Sequence, residues 1–436
     1  MSKIYHFSQI SEQAIREIGF DLKFPIVNDE TGMRESRPVY RVDGEYITVP
    51  MWYATKHDFP ADEKIHQKII NGAFIGALRN KQPEYADRLY ELLVKNSSAL
   101  CSLYPGSGKT TISIFLAIKF GLKPGILVSQ KSVRLQWKEE LNKFAPDLKV
   151  FMPVKGSDPK KITNADVLLL SPSTPKYFPT EMKSIGFLVV DEVDTMITRT
   201  RLTPLTYIFP RYLLFLTATP RRTDGMEKII WEFINPHSVV SKDLEAKFDV
   251  IVLKTGISVV LENKIIRGKK SLDFSAYMRS IVEDSERNEL IKTIACTHYH
   301  RKILIATRRV VHVKYLVKLL SPHIPKVSAF HGNMKTFDKD ADVIVACLDK
   351  CGAGLNFTDF TMCMIVCTIK GELEGRSLEQ LVGRVLRTTK PVTIIDFRDN
   401  DPISNSHLTN VRIPWYQKCA KSLKFLKAST QLDEIN

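Results

Sequence analysis

The residues best suited to chemistry begin with Gly106-Ser107-Gly108-Lys109-Thr110-Thr111, which follow Pro105 and precede the apolar, helix-like Ile112–Phe120. Glycines let a backbone curl and aim its N–H groups at phosphate oxygens, and a helix start behind the turn favours anions. Lys109 then supplies a point charge for the outer phosphates, and Thr110 a hydroxyl for Mg2+. The plain alternative is a chance Gly-Lys-Thr turn. A second cluster ends the apolar run Phe187-Leu188-Val189-Val190 in Asp191-Glu192-Val193-Asp194. Carboxylates at the end of an apolar strand are costly unless they have work to do. Asp191 suits magnesium held through water, and Glu192 suits a base that orients and deprotonates an attacking water. A solvated strand end is the bland reading. In Leu216-Thr217-Ala218-Thr219-Pro220 small hydroxyl residues can hydrogen-bond to that carboxylate motif.

Three more segments extend the pattern. In Gln380-Leu381-Val382-Gly383-Arg384-Val385-Leu386-Arg387, positions 380, 384 and 387 share one helical face. Guanidinium forks there suit phosphate oxygens and the charge that builds in phosphoryl transfer. Ala346-Cys347-Leu348-Asp349-Lys350-Cys351-Gly352-Ala353-Gly354-Leu355-Asn356-Phe357 reads as a strand and a glycine-rich turn that can offer N–H groups to a nucleic-acid backbone. The spacing of Cys347 with Cys351 and of Cys363 with Cys367 admits a zinc site, but the apolar runs around them favour cysteine as a small hydrophobe.

Apolar strands and helical stretches alternate on both sides of a less regular, basic segment. Strands are expected at Gly125–Ser129, Val167–Ser171, Phe187–Val190 and Leu213–Thr217. A second set follows at Lys302–Ala306, Val327–His331, Val343–Ala346, Thr361–Val366 and Val392–Asp396. Such alternation predicts an α/β fold with two parallel sheets covered by helices. Residues 1–75 lack a catalytic pattern and read as a small accessory domain. Residues 76–240 form the first lobe, 241–285 a connection, 286–410 the second lobe and 411–436 a basic helical tail. In that tail Lys418, Lys421, Lys424 and Lys427 oppose an apolar stripe of Trp415, Cys419, Leu423 and Leu426, which suits either a grip on nucleic acid or a docked helix.

The 436 residues carry 63 Lys+Arg against 48 Asp+Glu, a formal charge of +15, and so favour an anionic partner, nucleic acid first. No apolar run is long enough to cross a bilayer, so no membrane role is expected. Seven cysteines in a chain of this length argue for a reducing compartment, and a soluble, intracellular protein is the expectation.

These segments, in this order, resemble the superfamily 2 helicases across roughly 80–400. PGSGKT stands as motif I, DEVD as II, TAT as III, ACLDKCGAGLNF as V and QLVGRVLR as VI. Leu103 replaces the first glycine of the full phosphate-loop pattern, as is common in that superfamily. Leu135-Gln136-Trp137, Thr219-Pro220-Arg221-Arg222-Thr223-Asp224-Gly225 and Arg287-Asn288 look like the branch holding phage annealing helicases, excision-repair translocases and the poxvirus transcript-release helicase with its kin in large DNA viruses.

The resemblance implies two tandem RecA-like domains, ATP with Mg2+, a DNA track and 3′-to-5′ movement. It also implies a role in transcript release or in replication, recombination and repair, beside that machinery. A viral protein would work in the host cytoplasm or virus factory, with packaging in the virion a further expectation. By position, Gln82 matches the adenine-reading glutamine, Arg387 the arginine finger and Arg384 a ground-state phosphate ligand. Ser129, Gln130, Thr307 and Arg308 match residues that touch the track, although polar loop positions are their simpler reading. Three departures stand out. Asp194 replaces a histidine, Asn356 replaces an aspartate, and the interval from His331 to Val343 leaves little room for the usual helix. An RNA helicase with the same motor, and a non-catalytic nucleic-acid clamp, are the rival expectations.

Overall fold

The computed structural model describes residues 2–27, 34–59, 67–103, 106–196, 203–218, 226–241, 248–259, 261–266, 269–332, 334, 336–351, 359–369, 376–386, 388 and 390–435. Contacts divide the chain into residues 1–242 and 243–436.

The N-terminal region holds β1 (Ser2–His6), β2 (Lys23–Val27), β3 (Arg34–Pro38), β4 (Arg41–Asp43) and β5 (Tyr46–Pro50). Strands β1, β5 and β4 form an antiparallel sheet in that order, and β2 and β3 pair separately. Helix α1 (Glu12–Asp21) starts at Ser11, whose hydroxyl accepts the Ala14 N–H at 3.2 Å. Helix α2 spans Met51–Lys56. Tyr5, Ile18, Leu22, Ile47, Val49 and Tyr53 bury a small core of their own. The region is nonetheless keyed to the first large sheet. Val39 and Met51 join that sheet's core, the Arg41 guanidinium lies 4.3 Å from the Tyr207 ring centroid, and Lys56 pairs with Glu232 at 2.9 Å.

The first large sheet is built from β6 (Ser98–Ser102), β7 (Pro124–Leu127), β8 (Val150–Phe151), β9 (Val167–Leu170), β10 (Phe187–Val190), β11 (Tyr212–Thr217) and β12 (Val239–Ser241). The order is β12-β6-β11-β10-β7-β9-β8, every pair parallel. Helices α3 (Gln82–Asn96), α4 (Lys109–Phe120) and α5 (Lys131–Phe144) belong to this unit. Alternate residues face two cores: Phe187, Val189, Leu214 and Leu216 enter one, and Leu188, Val190, Leu213 and Phe215 the other. Burial on both faces is why these strands read as continuous apolar runs rather than alternating ones.

The second unit repeats the plan. Its strands are β13 (Phe248–Lys254), the hairpin β14 (Asn263–Ile266) and β15 (Lys269–Leu272), β16 (Ile303–Thr307), β17 (Val327–Phe330), β18 (Val343–Cys347), β19 (Met362–Ile365), β20 (Val392–Arg398) and β21 (Ser422–Lys427). The parallel order is β17-β18-β16-β19-β20-β13-β21. Two tandem RecA-like α/β units are therefore present, as the sequence implied.

Two expectations change. Residues 241–285 are not solely a connection, because Phe248–Lys254 lies inside the second sheet between β20 and β21. The tail is not helical throughout. Ile413–Cys419 is a helix, but Ser422–Lys427 pairs with β13, since its alternation suits a sheet edge with Leu426 inward. Cys347 packs on one face of that sheet and Cys363 and Cys367 on the other, and no metal-holding group of His, Cys, Asp or Glu occurs among the described residues. Burial pushes the Cys367 thiol up to about 11. Between β17 and β18 the described residues form no helix, in keeping with the short interval.

Candidate nucleotide site

In open parallel sheets, ligands bind beyond the carboxyl ends of the strands. Strands β6, β11, β10 and β7 are adjacent in that order, and each ends in one of the loops singled out above. The phosphate loop leaves β6, with Gly106 at φ +86° and Gly108 at φ +88°, conformations that glycine adopts without strain. Helix α4 begins at Lys109, and no side chain caps its first turn, which leaves the helix start open to an anion. The Lys109 ammonium donates to the Leu103 carbonyl. Pro105 lies outside the described residues. Gln82, at the start of α3, donates to the Ser107 carbonyl at 3.1 Å and accepts the Arg79 N–H at 2.9 Å. It grips the loop backbone so closely that a Cβ at Gly108 would lie 2.0 Å from its amide nitrogen.

Asp191 follows β10, and its own N–H donates to the Leu127 carbonyl at 3.0 Å. One carboxylate oxygen accepts the Glu192 N–H at 2.9 Å, and the other accepts the Trp137 indole N–H at 2.8 Å. Glu192 sits at φ +50°, a region L-residues enter at a cost of about 1–3 kcal/mol. Asp194 is buried and accepts the Thr217 hydroxyl at 2.9 Å, which is the link between the third motif and the carboxylates that the sequence suggested. Burial pushes the Cys101 thiol on β6 up to about 12, with Lys109 opposing and Asp191 adding to the shift. The lysine of one loop and the carboxylate of another therefore share a neighbourhood. A threonine hydroxyl at position 110 and the Asp191 oxygens form a hard donor set that fits magnesium. Those two residues would hold it, and when bound it would neutralise phosphate charge.

The other expected residues fall as follows. Gln380 and Arg384 lie on the helix Arg376–Val385, whose Leu378, Leu381, Val382 and Val385 are buried. Arg387 and the turn 352–358 lie outside the described residues. Gln130 is exposed and Ser129 half-buried beyond β7. Arg308 is exposed after β16 and donates to the Thr368 carbonyl at 3.2 Å. Thr307 is a correction: it is 1% exposed, with its hydroxyl 2.7 Å from His312 Nδ1, so its side chain offers nothing to a track.

Sequence reasoning missed what lies behind these loops. Trp137 stood out only within Leu-Gln-Trp, yet its indole N–H reaches the Asp191 carboxylate. Arg134, one turn earlier, donates to the Val128 and Ser129 carbonyls at 2.7 and 3.3 Å. Arg287 and Asn288 are both buried. Arg287 pairs with Asp399 at 3.1 Å, and the Asn288 amide oxygen lies 2.9 Å from His312 Nε2. Long-range partners of this kind leave no local signal in a sequence.

Two parallel sheets with a phosphate loop, a strand-end carboxylate pair and a coupled threonine are an arrangement similar to that of the superfamily 2 helicases. Residues 75–222 match the family described as type III restriction enzyme, res subunit. Over most of the chain the likeness is to putative helicases of large DNA viruses. A putative helicase of Invertebrate iridescent virus 6 is 25% identical over 89% of this chain and 92% of its own length. A putative ATP-dependent RNA helicase of Acanthamoeba polyphaga mimivirus is 26% identical over 94% and 82%. The transcript termination protein of vaccinia virus (strain Ankara) is 24% identical over 65% and 62%. Among solved structures, S. cerevisiae Dbp5 bound to RNA and ADP BeF3 shares the fold at TM-score 0.56 and 14% identity, over 80% of this chain and 90% of that one. This kinship implies ATP use, with magnesium as its usual companion, and nucleic-acid binding. Among the described residues, no helix is long and apolar enough to cross a membrane.

Proposed function

We propose that this chain is a nucleic-acid-stimulated ATPase that translocates on DNA, with 3′-to-5′ polarity, in viral transcript release or in genome replication and repair. The observation that carries this reading is the gathering of Lys109, Asp191 and Glu192 at the carboxyl ends of β6 and β10 in one sheet. Backbone N–H groups of Gly106–Thr111 and the Lys109 ammonium bind phosphate oxygens. Glu192 takes a proton from the attacking water as the water oxygen bonds to the terminal phosphorus and the bond to the bridging oxygen breaks. Gln82 senses the nucleotide through the loop it grips. Gln380 and Arg384 act on the phosphates, and Arg387 stabilises the charge of the transition state. Ser129, Gln130 and Arg308 touch the track.

A second reading, an RNA track, is favoured by the mimivirus relative, which is named an RNA helicase and spans nearly the whole chain. ATP turnover measured side by side with single-stranded DNA, duplex DNA and RNA separates the two. Stronger stimulation by RNA transfers the assignment to RNA. Absence of turnover with any of them leaves a non-catalytic clamp.

A further inference from the structure

Trp137 is 1% exposed, in the core beneath α5, yet its one polar atom is spent on a carboxylate. Any buried indole N–H needs an acceptor, and a backbone carbonyl would satisfy it. Here the acceptor is Asp191, the residue that the motor reading assigns to magnesium. The terminal torsion of an aspartate is broad and soft, so its oxygens point where donors hold them. Among those donors are the Trp137 N–H on one oxygen and the Glu192 N–H on the other, the latter on a backbone at φ +50°.

The same face of α5 reaches a second place. Arg134, three residues before Trp137, holds the carbonyls of Val128 and Ser129 at the end of β7. The next residue, Gln130, is exposed, and α5 starts directly behind it at Lys131. Strands β7 and β10 are hydrogen-bonded neighbours, and the Asp191 N–H extends their ladder to Leu127. One helical turn therefore spans the track loop and the metal carboxylate.

We infer that Trp137 is a positioning residue for the Asp191 carboxylate, and that α5 transmits the state of the Ser129–Gln130 loop to it. The inference rests on the motor reading, and it assigns Trp137 no contact with nucleotide or nucleic acid. Metal ligands held by outer hydrogen bonds lose about 10- to 100-fold in metal affinity or activity when those partners are removed.

The test replaces Trp137 by its benzothiophene isostere, which keeps the ring shape and lacks only the N–H. Trp137→Phe is a second variant made by ordinary mutagenesis. Equilibrium affinity for a fluorescent ATP analogue is measured in EDTA and in magnesium, each with and without single-stranded DNA. In the native protein magnesium tightens binding, and DNA shifts that magnesium-dependent gain. In both variants the EDTA affinity stays native, the magnesium gain falls about 10- to 100-fold, and DNA no longer shifts it. An unchanged gain overturns the inference. So does an equal loss in EDTA and magnesium, which marks a merely structural tryptophan. A native protein whose ATP binding ignores magnesium overturns the motor reading itself, and this inference with it.

Discussion

Glu192 occupies a strained backbone position between a carboxylate that takes its N–H and a threonine, Thr195, whose hydroxyl and N–H both donate to its carbonyl at 2.8 Å. Those bonds hold the strained residue in place, so its side chain is presented by a fixed backbone. Glu192→Gln keeps the shape and removes the base. It should retain ATP binding and lose turnover by about 10²- to 10⁴-fold, whereas Lys109→Ala should lose binding as well. Nucleotide affinity and turnover on one preparation check both, and normal turnover in Glu192→Gln would refute the role given to the carboxylate pair. Arg387→Ala should bind ATP and DNA almost as the native protein does while hydrolysis drops on the order of 10³-fold. Loss of binding and turnover together would make Arg387 structural.

Among the elements, β21 changes what the C-terminal lysines can be asked to do. Leu426 is 4% exposed and belongs to the core on one face of the second sheet. Leu426→Ala should destabilise the protein by about 2–5 kcal/mol, read by chemical unfolding. Ending the chain at 411 would strip a strand from β13, so single changes at Lys421, Lys424 and Lys427 are the clean probe of a basic grip.

The element behind Thr307 makes a pH prediction. Asn288 donates its amide N–H to the Val282 carbonyl, so its oxygen must accept from His312 Nε2, and Nδ1 accepts the Thr307 hydroxyl. Burial, and secondarily Arg287, push His312 down to about 3. The unfolded chain therefore binds a proton between about 6.5 and about 3 that the folded chain refuses. Stability is full above the unfolded value and falls as the pH drops through this window, by up to about 1.4 kcal/mol per unit. Chemical unfolding at pH 7 and pH 5 should show the loss, and His312→Asn should flatten it; an unaltered slope rejects the assignment.

What the sequence showed at this scale follows from burial. Strands buried on both faces, such as Phe187–Val190, announce themselves as apolar runs, and the phosphate loop announces itself through its glycines. Phe248–Lys254 was hidden because it carries Asp249 and Lys254 and follows the charged run Lys242-Asp243-Leu244-Glu245-Ala246-Lys247. Ser422–Lys427 was hidden because lysines at every third position imitate a helix face. Trp137 stood out only within its Leu-Gln-Trp motif, since its partner Asp191 follows another strand, and the Arg134 bonds go to backbone carbonyls of Val128 and Ser129, which carry no residue-type signal.

For the whole molecule, a formal charge of +15 is a statement about its partner. A motor that neutralises phosphates along a track releases counterions. Its affinity for nucleic acid should fall by roughly 10³-fold or more between 50 and 200 mM salt if six or more phosphates are engaged. Fluorescence anisotropy across that range measures the slope, and a flat response would count against a phosphate-tracking surface.

Strand β21 has one more consequence, and it concerns synthesis. It lies against β13, and Ser422 bonds to Asp249 from 173 residues further along the chain. A ribosome makes β13 first in its unit and β21 last. Residues 1–242 can settle while the rest is still being translated, but until its last strand emerges the second sheet ends in the apolar β13, which the lysine-bearing β21 later covers as the outermost strand. An open edge is a template for pairing with other chains. Slow or stalled translation near the C-terminus should therefore yield aggregation rather than a shortened working motor, and rare codons belong early in this gene rather than late.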